Sequence, residues 1–170
     1  MKHYNYQEQL RHLWKHAVTL CKAEEQDLAA YFSADETSFL QSIGMLPHEM
    51  YDFAEDYVEV GEPDFTTMAL IQHVRRGYFL REQQGMPSQQ VISASDIPSG
   101  EDTIDGVDWL PRITHKALAK LRGELDPDLM FNCGRDRKFF KDHDVHPADF
   151  LLWVWDLGAD TKRLVECLQP

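Results

Sequence analysis

The sequence predicts an all-α protein, a compact helical domain formed by two weakly similar helical repeats joined by an irregular linker. Three observations predict it. Apolar residues recur at helical spacing over most of the chain, Pro and capping residues stand where helices should start, and the second half echoes the first at a constant offset of 100 positions.

Leu10, Leu13, Trp14, Ala17 and Cys21 share one face of a first helix, which the pattern carries toward Phe32. Asp35 is placed to cap a short helix bearing Phe39, Leu40 and Ile43, and Gly44 ends it. Pro47 suits a first helical turn, with Glu49 close behind at the positive end of the dipole, and Met50, Phe53, Ala54 and Tyr57 supply the buried stripe. After Gly61-Glu62-Pro63, Asp64 caps a further helix carrying Phe65, Met68, Ala69, Ile71 and Val74 to about Gln84.

The character changes at Gly85. Residues 86–107 are rich in Ser, Gln, Asp, Gly and Pro, and a stretch of that composition reads as a linker or functional loop. Helical spacing resumes with Leu110, Ile113, Ala117, Leu121 and Leu125. Asp136 opens a short helix with Phe139 and Phe140, and Asp160 opens a last one with Leu164, Val165 and Leu168. The organisation is thus repeat 1 over 1–85, linker or loop over 86–107, and repeat 2 over 108–170.

The run Phe150-Leu-Leu-Trp-Val-Trp155 fits a strand or a buried helix on its own. The internal offset decides it. Leu10 faces Leu110, Leu13 faces Ile113, Ala17 faces Ala117, Phe39 faces Phe139, Pro47 faces Pro147 and Phe53 faces Trp153. Because Met50 to Tyr57 is helical in pattern, Phe150 to Trp155 is expected to be a buried helix. Two such units would bury their apolar faces against each other about a pseudo-twofold axis.

Composition bounds the function classes. Four Trp, nine Phe and six Tyr supply a core, so the chain is not disordered. A formal charge of -12, spread over both halves, speaks to solubility and to basic partners. It speaks against direct nucleic-acid binding, because the most basic stretch, Arg135 to Lys141, is interleaved with Asp136 and followed by Asp142 and Asp144. Cys21, Cys133 and Cys167 are odd in number and widely spaced, which points to reduced thiols and a cytoplasmic setting. The start, Met1-Lys2-His3-Tyr4-Asn5, lacks a signal-peptide pattern, and no apolar run is long enough for a membrane span.

Three groups of polar residues are candidates for chemistry. Arg112 and Lys116 lie four apart on one helix face, and their offset partners His12 and His16 do the same. If the halves pack about a twofold, all four converge on a cleft where Arg112 and Lys116 hold a carboxylate or phosphate and the histidines supply acid or base. The bland alternative is solvated basic residues pairing with nearby acids. Asn132, Cys133 and Asp136 share a turn with Gly134, where capping and a small buried thiol compete with a nucleophilic Cys133 served by a base such as His115. Asp142, His143, Asp144 and His146 are the densest set of potential metal ligands, but they read more simply as a surface turn before Pro147. Trp153, Trp155 and Phe150 read as core. With no Gly-rich phosphate loop, HExxH or nucleophile elbow, no cofactor is expected.

Gly106-Val-Asp-Trp-Leu-Pro-Arg112, Lys116-Ala117, Leu121-Arg-Gly123, Phe131-Asn132-Cys133, Asp136, Phe139-Phe140 and Pro147-Ala-Asp-Phe-Leu151 together resemble the uncharacterised family catalogued as domain of unknown function 5069. The resemblance covers most of 106–168 and, more faintly, 10–75. Asp144-Val145 stands where members carry a Gly-Ile or Gly-Val pair, and Thr114 where they carry Asp. The resemblance implies a helical fold and carries no activity.

The expected function is therefore a module that binds a protein or small ligand through an acidic face or the inter-repeat cleft. Two alternatives are a small-molecule enzyme with an anion-binding cleft between the repeats, and an acidic mimic of nucleic acid that binds a basic protein.

Overall fold

The computed structural model describes residues 4–25, 27 and 31–169. Eight helices and one short hairpin are formed among these residues: α1 (Tyr6–Lys22), α2 (Ala34–Ser42), α3 (Pro47–Val60), α4 (Phe65–Arg81), β1 (Thr103–Ile104), β2 (Val107–Asp108), α5 (Leu110–Arg122), α6 (Gly134–Asp142), α7 (Pro147–Leu157) and α8 (Thr161–Leu168). The protein is predominantly helical, as its apolar periodicity predicts. No helix among the described residues is long and apolar enough to cross a membrane.

The ends of the helices follow local chemistry. α1 buries Leu10, Leu13, Trp14 and Ala17 but stops at Lys22 rather than running toward Phe32. Glu24 takes a left-handed conformation (φ +57°), and the Tyr31 hydroxyl donates to the Glu25 carbonyl at 2.8 Å. Residues 26 and 28–30 of the expected continuation, like Met1 to His3, lie outside the described residues. Ser33, not Asp35, caps α2: its hydroxyl accepts the Glu36 N–H while the Glu36 carboxylate accepts the Ser33 N–H at 2.8 Å. Asp35 sits instead in the first turn, where its charge still favours the dipole.

Pro47 opens α3 and Gly61, at φ +79°, closes it. The Asp64 carboxylate caps α4 by accepting the Thr67 N–H at 2.8 Å. α4 ends at Arg81, three residues short of expectation, because Gln84 and Gly85 both turn left-handed. Phe150 to Trp155 is helical, inside α7.

Residues 86–107 are irregular yet fastened. Ile92 and Leu125 form a bridge, the Ile92 N–H donates to the Glu124 carbonyl at 2.6 Å, and Ile97 is buried. The hairpin pairs Thr103 with Asp108 and Ile104 with Val107 around Asp105-Gly106, both at positive φ. An Asp-Gly pair is what a tight two-residue hairpin turn requires.

Helix positions recur along the chain. α2 and α6 span 34–42 and 134–142, while α3 and α7 start at Pro47 and Pro147. The turns between them also match. The Met45 N–H donates to Leu40 O and the Val145 N–H to Phe140 O, with Gly44 (φ +73°) and Asp144 (φ +50°) left-handed. Within the first half α1 packs on α3, within the second α5 packs on α7, and α4 crosses the seam to both α5 and α7. One core results, with Leu10, Met50, Phe53 and Ile71 meeting Leu110, Ile113, Ala117 and Phe150. Burying each of these larger side chains favours the fold by roughly 1.5–3 kcal/mol.

Candidate functional site

α5 carries two lysines one turn apart, and both are buried: Lys116 is 2% and Lys120 1% exposed. The expectation that Lys116 holds an external anion does not survive this geometry. Its Nζ lies 2.5 Å from Asp136 Oδ2 and 3.4 Å from Cys133 Sγ. Asp136 is the third residue of α6, and its Oδ2 also accepts the N–H groups of Asn132 (2.8 Å) and Cys133 (3.2 Å). Its Oδ1 accepts the Trp109 indole N–H at 3.0 Å, which helps hold Trp109 in an uncommon left-handed conformation (φ +67°). The carboxylate is fully engaged, and so is the lysine.

The other members of the expected cleft disperse. Arg112 donates from Nη1 to the Pro98 carbonyl at 2.7 Å, with its guanidinium 5.6 Å over Trp109. His16 Nδ1 sits 3.8 Å from Glu36 Oε1, at the positions that answer Lys116 and Asp136. His12 is exposed. The four side chains expected in one cleft thus divide between two sites: His12 and His16 both lie near Glu36, while Arg112 and Lys116 flank the Trp109–Asp136 contact. α5 turns Lys116 inward on the same face as Ile113 and Ala117, while α1 leaves His12 outward. His115 donates its Nδ1–H to the Pro111 carbonyl at 2.9 Å, a contact with its own helix, while the side-chain contact of Cys133 Sγ is with Lys116. The candidate metal ligands also have separate tasks. Asp142 accepts from Lys138 at 2.6 Å, the His143 ring packs 4.7 Å from that of Phe139, and His146 Nδ1 accepts the Ala148 N–H at 3.2 Å. Among the described residues, no three His, Cys, Asp or Glu side chains are grouped to hold a metal ion.

A groove of about 750 Å³ lies at the seam of the two halves. One wall is the α3–α4 turn with the start of α4: Gly61, Glu62, Pro63, Asp64 and Thr67. The other is built from Asn132, Arg137, Phe140 and Lys141, then Asp144 to Pro147 and Asp149. Cations of the second half bind carboxylates of the first across it. Arg137 Nη1 donates to Asp56 Oδ2 at 2.6 Å, Arg137 Nε lies 3.7 Å from Glu62 Oε2, and Lys141 Nζ reaches both Glu62 oxygens at 2.9 and 2.7 Å. Arg137 also donates to the Asn132 carbonyl at 2.9 Å.

Asn132 stands out among these. It is 1% exposed, held left-handed (φ +73°), and its side-chain Nδ2 has no hydrogen-bond partner among the described residues. Asn is among the few residues that accept this backbone conformation readily. A buried N–H₂ without an acceptor costs about 1–3 kcal/mol, so proteins rarely leave one without a reason.

A second polar cluster joins the halves at the other lysine. Lys120 Nζ donates to Glu49 Oε1 at 2.6 Å, and Glu49 Oε2 accepts the Leu46 N–H at 2.9 Å. Burial pushes the Glu49 carboxyl up, but the Lys120 ammonium and these hydrogen bonds outweigh it, leaving Glu49 below its ordinary value. Burial also lowers His48 and Arg75. Asp52 goes the other way. Burial, then the charges of Glu49 and Glu55, push it up to about 7.

An acid with a raised folded pKa binds its proton more tightly when native, so stability falls as pH rises from the unfolded value toward 7. Asp52→Asn is therefore expected to stabilise the protein by about 2 kcal/mol at pH 8, a discounted share of the shift, and to give no gain below about pH 4. Urea denaturation of both proteins at the two pH values reads this. An equal difference at both would refute it.

Sequence reasoning placed Asn132, Cys133 and Asp136 in one turn but missed Arg137, Lys141 and Glu62 as a group. Their partners lie 81 and 79 positions away, and no local pattern announces them. Comparison with protein-family models, with curated proteins and with solved structures finds no match to this chain.

Proposed function

We propose that the chain is a ligand-binding module whose binding site is the groove along the seam of its halves. The observation that carries this reading is the Asn132 amide, buried in the groove lining with a donor left unmet. A ligand acceptor would meet it. The groove's volume falls within the roughly 300–1,000 Å³ of small-ligand sites, and its lining mixes apolar Phe140, Val145 and Pro147 with a few placed polar groups. An anion-binding enzyme cleft is less well supported, because the Lys116 ammonium it needs is committed to Asp136.

The same reading includes descent of the two halves from one duplicated helical unit, supported by the helix starts and left-handed turns that recur at a spacing of 100. It also includes kinship with the domain of unknown function 5069 family, supported by the 106–168 motifs.

The test is a panel of small polar compounds and short peptides followed by amide NMR. Saturable shifts centred on the Asn132 side-chain amide and on Arg137 are expected. Thr67→Trp, which fills the groove from the first turn of α4, should weaken binding at least about tenfold, the loss of one well-buried contact. Shifts confined to another face, such as that between Arg11 and His73, or unchanged affinity in Thr67→Trp, would sink the reading.

A further inference from the structure

The groove has two unmet needs, and they differ in sign. In its lining, Asn132 offers a buried N–H₂ with no acceptor. His146, whose Nδ1 accepts the Ala148 N–H, keeps its ring proton on Nε2 and adds a second donor to the lining. These donors ask for a carbonyl or similar oxygen. Charge on the walls asks for the opposite. Arg137 and Lys141 are already bound by Asp56 and Glu62, while Asp64, Asp144 and Asp149 have no cationic partner among the described residues. Asp64 spends one oxygen on capping α4. The groove therefore combines carboxylates that no cation of the described residues pairs with and a buried hydrogen-bond donor in its lining, although Asp64 and Asp149 also stand at helix N-termini.

Taking the groove as the binding site, we propose that it accepts an organic cation joined to a carbonyl, as in an arginine- or lysine-containing peptide segment. The carbonyl meets the Asn132 amide and the cation lies against Asp144 and Asp149. A polyamine supplies the charge but no acceptor, and would leave Asn132 unmet. A bare metal ion fits less well, because it needs several oxygens converging at one point and no such group exists among the described residues. The chain's net charge of -12 draws such a segment in from a distance, an attraction that salt screens.

Three probes separate the parts of the proposal: N-acetyl-arginine methylamide, its uncharged counterpart N-acetyl-citrulline methylamide, and agmatine, which keeps the guanidinium but lacks the carbonyl. N-acetyl-glutamate methylamide serves as the anionic control. Amide NMR on the full chain should show the arginine probe shifting the Asn132 side-chain resonances saturably, with a Kd of about 1 mM, suited to so small a fragment. The citrulline probe should bind about fivefold more weakly, the upper range for an exposed ion pair. Agmatine should leave the Asn132 side chain unmoved. Asp144→Asn with Asp149→Asn should erase the preference for arginine over citrulline without disturbing the fold, since Asn tolerates the left-handed backbone at 144.

Equal binding of the citrulline or glutamate probe would overturn the cation while leaving the groove a binding site. An agmatine shift at Asn132 matching the arginine probe's would overturn the carbonyl contact. Absence of groove shifts with all four probes would overturn the proposal, while the wider compound panel and Thr67→Trp decide the groove reading separately.

Discussion

Asp136→Ala is expected to destabilise the protein by about 3–5 kcal/mol, the cost of leaving a buried ammonium without its carboxylate. Lys116 is 2% exposed and has only Cys133 Sγ as a second contact, so it would be stranded. The same substitution leaves the Asn132 and Cys133 N–H groups and the Trp109 indole without an acceptor. Lys116→Met should cost much less, about 1–2 kcal/mol, because Asp136 keeps three N–H donors on its oxygens. Urea denaturation of the two variants measures the asymmetry. If Lys116→Met proves as damaging as Asp136→Ala, the carboxylate is not the hub described above.

Lys120→Met is expected to cost about 3 kcal/mol at pH 7 and clearly less near pH 4. Glu49, 5% exposed, would keep one backbone donor and lose its cation. In the intact protein the Glu49 carboxyl is held low, so its contribution is present above the unfolded value of about 4.3 and is lost as pH falls through the lower folded value. Without Lys120, burial favours the neutral acid, and the penalty fades as Glu49 takes up a proton. Adding Glu49→Gln to Lys120→Met should recover much of the loss, because a neutral amide replaces a stranded charge. A deficit of equal size at both pH values, with no recovery in the double variant, would mean that packing rather than charge accounts for Lys120.

Much of the helical fold was legible because its signals are local. Apolar spacing located the helices, Pro47 and Pro147 marked two starts, and Asp64 and Asp160 capped where expected. Errors arose where two local signals competed. Ser33 and Asp35 both suit a cap, and the Ser33–Glu36 box wins by satisfying two N–H groups reciprocally. The Asp105-Gly106 hairpin was missed, because its turn pair lies within a stretch whose composition reads as linker.

The burial of Lys116 and Lys120 was half legible. Ile113, Lys116, Ala117, Lys120 and Leu121 share one helical face, so both lysines sit on the apolar stripe. Their partners were not legible, since Glu49 lies 71 positions from Lys120 and only the packed fold brings it near. The groove is illegible for the same reason. Asn132 reads as a turn residue, and its unmet amide exists only once the 61–67 turn and the α6–α7 turn face each other.

The ion pairs that cross the seam share a direction. Among the described residues, the seam pairs within 4 Å draw their cations, Lys120, Arg137 and Lys141, from the C-terminal half and their anions, Glu49, Asp56 and Glu62, from the N-terminal half. Cut at the 86–107 strap and produced as separate polypeptides, the halves would thus recognise each other and reject themselves, since pairing two N-terminal halves in this register sets acid against acid.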